Sequence, residues 1–432
     1  MADKEPTITE EEIPEAVPSM PNNLDDLGLP EGFLLDLTLK TLYTKGKMQG
    51  QEFAEEMHIP FGGLIQPLLD QLEDEKYVEV KGGGGQFADQ WEYEITESGR
   101  ERVNEIFEED RYIGPVPIPL EQYWDVTKEF SVDKEQISRA DLEDAFEDLI
   151  IPDEYFEVLG PAVNSGKSVF IYGRPGNGKT IICERVIDAF KDFVAIPRAM
   201  FAGGSVIKFY DPYYHNPEVP PSKTVDQRWM ITRRPFVSVG GELTMEDLDL
   251  MYNEDVGFYE APFQMKANTG VLLIDDFGRQ QMDPEDLLNR WIVPLEKGKD
   301  FLTLHTGLKF EVPFECLLFY STNLDPHELV DEAFLRRLRY KIHTEDPTED
   351  EYRKLFKLQC DLLGFEFDEQ VLNYIIEEYY QKTDRPMRRC HPRDLLEIVE
   401  DFCDYEREKP TLDRDLLDYA ADSYFPDNVL GE

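Results

Sequence analysis

Gly173-Arg174-Pro175-Gly176-Asn177-Gly178-Lys179-Thr180 is the stretch on which the reading of this 432-residue chain turns. It fits the pattern GxxxxGK[ST], and its setting fits as well. The apolar run Val169–Tyr172 before it predicts a buried strand, and Thr180–Phe190 after it predicts a helix. Glycines at these positions let backbone N–H groups curl around a β-phosphate, while the following helix adds its positive N-terminal dipole. Lys179 is spaced to reach the β- and γ-phosphates, and Thr180 to offer its hydroxyl to Mg²⁺. The strand–loop–helix context separates this site from a mere glycine-rich turn. ATP and Mg²⁺ are the expected cofactors.

Such a loop needs an acid at the end of a neighbouring strand. Val271-Leu272-Leu273-Ile274-Asp275-Asp276 supplies two, at the C-terminal end of an apolar run, where α/β sheets gather ligands. Asp275 is read as the metal-side carboxylate and Asp276 as the group that polarises the attacking water.

With these motifs in place, residues 140–400 resemble AAA+ ATPases. Phe319-Tyr320-Ser321-Thr322-Asn323 is similar to their sensor 1, which implies that Asn323 orients water and γ-phosphate. Asp331-Glu332-Ala333-Phe334-Leu335-Arg336-Arg337-Leu338 is similar to the segment bearing the arginine finger, with Arg336 and Arg337 both eligible. His391-Pro392-Arg393-Asp394-Leu395 is similar to sensor 2, which implies Arg393 over the γ-phosphate, with Arg388 and Arg389 as rivals. Asp276 departs from the family, where Glu is usual. An Asp-Asp pair resembles replication-initiator and helicase-loader groups, and the shorter side chain implies slow or partner-stimulated hydrolysis. Phe301–Pro313 reads as two period-two arms around Gly307. A hairpin just before sensor 1 resembles the clade of MoxR-type chaperones, magnesium chelatase and enhancer-binding activators, which implies pore-facing loops in a ring, hexameric by expectation.

Working outward, the sequence divides into an acidic disordered tail (1–30), a winged-helix domain (31–110), a proline-rich linker (111–138), an AAA+ α/β core with a parallel sheet (139–345) and a helical lid (346–432). The winged-helix reading rests on helices at Phe33–Leu42, Gln51–Met57 and from Pro67, then a hairpin of Tyr77–Val80 and Trp91–Ile95 around Gly82–Gly85. Lys179 and Asp275 stand 96 positions apart, more than one helix, one strand and short loops need. Tyr210–His215, Arg233–Val237 and Gly240–Thr244 are read as inserted material. Leu372, Ile375, Ile376, Tyr379 and Tyr380 share a helical face and are read as lid packing. The scattered histidines have no metal-ligand spacing.

The formal net charge is -47, which disfavours unspecific binding to nucleic acid or anionic membranes. A source with a salt-rich cytoplasm is the other reading of that acidity. Five cysteines without a CxxC pair indicate neither disulfide framework nor zinc, and no apolar run approaches membrane-spanning length. The N-terminus lacks a signal-peptide core. A cytoplasmic protein without membrane insertion is expected. In a DNA-binding winged helix the third helix would carry basic or amide groups, but Phe61–Asp74 has no Lys or Arg and contains Asp70, Glu73 and Asp74. The expected function is therefore a homo-oligomeric ring ATPase that remodels a protein partner through an adaptor domain. The alternative is a DNA-linked ATPase, either a transcriptional regulator or a loader-type helper.

Overall fold

The computed structural model describes residues 7–82, 87–218, 220, 225–329 and 335–425. Its centre is a five-stranded sheet of β1 (Val169–Gly173), β2 (Phe236–Val239), β3 (Val271–Ile274), β4 (Leu317–Thr322) and β5 (Tyr340–Thr344). The order is β2-β3-β4-β1-β5, and every pairing is parallel. All residues of β3 and β4 are buried. That is why these strands read as unbroken apolar runs rather than alternating ones: both sheet faces are covered. On one face, Val169, Ile171, Leu273 and Phe319 pack with residues of the helices Asp153–Asn164 and Lys179–Asp188. On the other, Phe170, Leu272, Leu318 and Tyr320 pack with Trp291 of the helix Pro284–Lys297. This is the predicted α/β P-loop core, completed by a helical lid.

Two core strands escape the sequence. Phe236–Val239 overlaps the stretch read as inserted material, yet it is β2 of the central sheet. Its neighbours Arg233 and Arg234 disguise it, because arginine reads as surface. Arg234 is in fact buried, donating to Asp192 at 2.9 and 2.7 Å and to the carbonyls of Phe130 and Thr269. β5 is an edge strand with one face exposed, so it has no continuous apolar run.

Most of the remaining insertion forms two small sheets. Trp229–Thr232 pairs with Val194–Pro197 and Pro217–Glu218, and Ala199–Ala202 pairs with Ser205–Lys208 in a five-stranded sheet. The predicted hairpin is present as Lys299–Thr303 against Lys309–Pro313. Leu302, Leu304 and Val312 bury its inner side against that insertion.

Near the N-terminus, the helices Glu31–Lys45, Gly50–Met57 and Gln66–Asp74 pack on an antiparallel sheet of Lys47–Gln49, Glu92–Ile95 and Val78–Gly82. Most of the expected glycine turn lies outside the described residues. This unit shares its core with Ala199, Val206, Phe201 and Phe258, so it is seated on the insertion.

Two expectations are corrected. The described part of the acidic tail is ordered: Ile8, Val17 and Leu27 are buried, and Ser19 bridges to Val225. Most of its few apolar residues reach a core, which overrides the disorder-like composition. The proline-rich linker is not a free spacer either. Val116 and Ile118 are fully buried, and Ile118–Pro119 pairs with Met200–Phe201. Proline, lacking an N–H, is tolerated at such a sheet edge.

The lid comprises helices Glu349–Leu363, Glu369–Ile375, His391–Glu406 and Arg414–Tyr424. Tyr379 and Tyr380 lie in its core, as expected.

Candidate functional site

At the C-terminal end of β1 the chain enters the glycine loop. Gly173 has φ 145° and Gly176 φ 82°, conformations that side chains rarely adopt. A Cβ on Gly173 would lie 2.4 Å from the Thr344 carbonyl oxygen, and one on Gly176 2.7 Å from the Cys390 sulfur. Glycine is required here on both counts.

Lys179 opens the next helix and folds back over the loop. Its Nζ donates to the carbonyls of Gly173 and Arg174 at 2.9 and 3.1 Å and to Asn323 Oδ1 at 2.5 Å. Burial lowers its pKa, against the pull of Asp275 and Asp276. Thr180 Oγ1 donates to Asp275 Oδ2 at 2.8 Å, and Asp275 Oδ1 accepts from the Asp276 N–H at 2.9 Å. Asp276 sits in the left-handed region with φ 47°, and its Oδ1 accepts from Asn323 Nδ2 at 2.8 Å. The loop, the end of β3 and the residue after β4 therefore meet in one hydrogen-bonded chain.

These groups line a cleft of 410 Å³ together with the apolar residues Ile150, Ile151, Leu355 and Leu358. A lining that combines apolar side chains with a few convergent polar groups is what a nucleotide's base and phosphates require. The donor set fits Mg²⁺ too: a hydroxyl and a carboxylate already lie within hydrogen-bonding distance, as two adjacent ligands of one ion would. Among the described residues no group of three or more His, Cys, Asp or Glu could hold a metal alone. Nucleotide oxygens and water would have to complete the shell, as is usual for Mg²⁺.

The structure separates the arginines. Arg393 lines the cleft on the lid's third helix, half-exposed and held only by Asp394 at 2.9 Å and Glu397 at 3.7 Å. Arg388 is paired with Asp346; Arg389 also lines the cleft, but its largely buried side chain is paired with Glu351. Arg336 is exposed, and Arg337 meets Glu296 at 3.2 Å. Neither lines this cleft. Of the finger segment, Asp331, Glu332, Ala333 and Phe334 lie outside the described residues.

Sequence reasoning passed over Asp346. Its carboxylate accepts from Asn177 Nδ2 at 2.8 Å and pairs with Arg174 at 3.3 Å and with Arg388. Burial pushes its pKa up, but the Asn177 and Arg388 hydrogen bonds outweigh that and hold the carboxyl below its usual range. Asp346-Pro347 reads as an ordinary turn, and no sequence signal marks it.

A family profile described as a domain of unknown function, DUF8689, matches residues 348–423, the helical lid. Comparison with curated proteins gives no match. Among solved structures the chain is similar to NtrX from Brucella abortus, at 11% identity and TM-score 0.41 over 64% of this chain and 56% of that one. It is similar to the same protein in complex with ATP at 12% identity and TM-score 0.40, covering 65% and 59%. A RuvB mutant from Thermotoga maritima is similar at 12% identity and TM-score 0.36, covering 68% and 72%. The chain thus spans somewhat over half the length of the NtrX structures. What it can do rests on the cleft itself. No described helix is long and apolar enough to cross a membrane, and the five cysteines are unpaired thiols.

Proposed function

We propose that this chain is an AAA+ ATPase that binds Mg²⁺–ATP in the cleft, hydrolyses it, and works as a homo-oligomeric ring to remodel a protein partner. The observation that carries the reading is the convergence of Lys179, Thr180, Asp275, Asp276 and Asn323 in one cleft that Ile150, Ile151, Leu355 and Leu358 also line. In this reading the base lies against Ile150 and Leu355, and the glycine-loop N–H groups take the β-phosphate. Lys179 exchanges its carbonyl partners for phosphate oxygens. Thr180 and Asp275 would hold Mg²⁺, whose contribution is to neutralise the charge developing on the phosphates. Asp276 accepts the proton of the attacking water, and Asn323 holds both that carboxylate and the water in line. Arg393 swings from Asp394 to the γ-phosphate.

Arg336 or Arg337 would complete the cleft of a neighbouring subunit, which makes the ring a requirement of the chemistry. The hairpin Lys299–Pro313, with Phe301 and Leu308 exposed, is a candidate contact for the remodelled partner. The helix–strand–helix–helix–strand–strand order near the N-terminus supports the winged-helix reading. Its third helix exposes Asp70, Glu73 and Asp74, which supports docking to protein rather than to DNA, because carboxylates facing phosphates are costly.

The test is ATP turnover by the purified full chain with Lys179→Ala as the blank. Wild-type turnover equal to the blank removes the enzymatic reading, and light scattering that shows only monomer with a non-hydrolysed ATP analogue removes the ring. Duplex-DNA binding with a steep salt dependence would instead favour the DNA-linked alternative.

A further inference from the structure

Arg389 stands apart from the other arginines near the cleft. Its side chain is 9% exposed, in a molecule whose charge is overwhelmingly acidic. NH1 donates to the Ile150 carbonyl at 2.8 Å, and NH2 reaches both Glu351 carboxylate oxygens at 3.3 Å. Nε is buried without a partner. Glu351 is itself tethered: it accepts from the Thr348 N–H at 2.9 Å and the Thr348 hydroxyl at 3.2 Å, capping the lid's first helix. The main chain beside the arginine is docked as well. Arg389 N–H donates to Asn177 Oδ1 at 3.4 Å, and Cys390 N–H to the Gly176 carbonyl at 2.9 Å. One buried side chain and its peptide neighbours therefore touch the segment before the core, the glycine loop and the first lid helix.

We propose that Arg389 is a positioning residue that assembles the apolar lining of the cleft, by tying Ile150 to the lid through Glu351 so that Ile150 and Leu355 are held in place before nucleotide arrives. The inference rests on reading the cleft as a nucleotide site, and it gives Arg389 a role distinct from the phosphate contact assigned to Arg393. A guanidinium can hold a carbonyl with one arm and a carboxylate with the other, whereas an ammonium is a single point charge. With the strut cut, the wall and the lid move independently, and nucleotide must order them as it binds. The affinity falls while the chemistry at the polar groups is unaffected.

The variants are Arg389→Lys and Glu351→Gln in the full chain. The second keeps the helix cap, since Gln caps as Glu does, and questions the same strut from the lid side should the first fail to fold. Amide hydrogen exchange without nucleotide is expected to accelerate at residues 148–151 and 349–355. The dissociation constant of fluorescent ADP or ATP is expected to rise by about tenfold or more, the equivalent of one charge-assisted hydrogen bond. Turnover at saturating ATP should stay within about threefold of wild type, a split between affinity and turnover that a phosphate-contacting group would not show. Exchange and affinity both unchanged would overturn the proposal. So would a large loss of saturating turnover at unchanged affinity, since Arg389 would then act on the reacting phosphate. If wild type binds neither nucleotide while exchange still rises in the variants, the strut stands and the nucleotide reading fails.

Discussion

Asp276 owes its aim to an uncommon backbone conformation. A non-glycine residue at φ 47° is strained, and such strain persists only where surrounding contacts hold it. Here Asn323 grips the side chain and the Phe277 N–H donates to the Ser321 carbonyl at 2.7 Å. The turn lifts the carboxylate off the end of β3 toward the loop. In the proposed function, Asp276→Asn keeps the shape and removes the base. Turnover should fall by about 100-fold or more, with nucleotide affinity within about threefold, measured by steady-state hydrolysis and equilibrium binding. An unchanged rate would show that another group activates the water. The polar lining of the cleft was legible in the sequence because its residues sit at fixed places: the loop after β1, the acids after β3, the amide after β4. Asp346, Glu351 and Arg389 were not legible in those roles. Their contacts form only when the lid folds back on the glycine loop, and no local spacing records that closure.

Among the elements, the hairpin is anchored by a charge that its alternation pattern hides. Asp300 is fully buried in the first arm, pairing with Arg290 of the helix Pro284–Lys297 and accepting from Gln264 at 3.1 Å. Removing one member of such a pair leaves an uncompensated partner. Asp300→Ala should cost about 3 kcal/mol of stability, read from denaturant unfolding, with faster amide exchange over 299–313. A loss below about 1 kcal/mol would mean that solvent already screens Arg290. Period-two alternation located this hairpin, because one of its faces is covered and the other open. The same rule could not find β2, four residues long behind two arginines, nor the strap at 7–27, whose single apolar residues lack any period. Composition misled there: an acidic, proline-bearing stretch can still be ordered if most of its few large side chains find a core.

At the scale of the molecule, histidines whose pKa is lowered make stability depend on mild acid. His58, in the N-terminal unit, and His391, in the lid, are both pushed down to about 4, chiefly by burial. The folded chain resists protonation that the unfolded chain accepts near 6.5, so it binds fewer protons in between. Their contribution is complete above pH 6.5 and is lost as pH falls toward about 4, each at no more than about 1.4 kcal/mol per pH unit. The double substitution of His58→Gln and His391→Gln should flatten the fall in Tm between pH 6.5 and 5. An undiminished slope would assign it to carboxylates or to His215, whose pKa burial also lowers.

The order β2-β3-β4-β1-β5 has a consequence in time. The glycine loop is complete in sequence at Thr180, yet β1 lies between strands that end at Thr322 and Thr344. Closing such long loops precedes any reward from pairing and slows folding. During synthesis the loop must therefore emerge, and wait through more than 160 further residues, before the strands that flank it exist. In the proposed function, competence to hold a nucleotide therefore arrives only after both flanking strands have emerged.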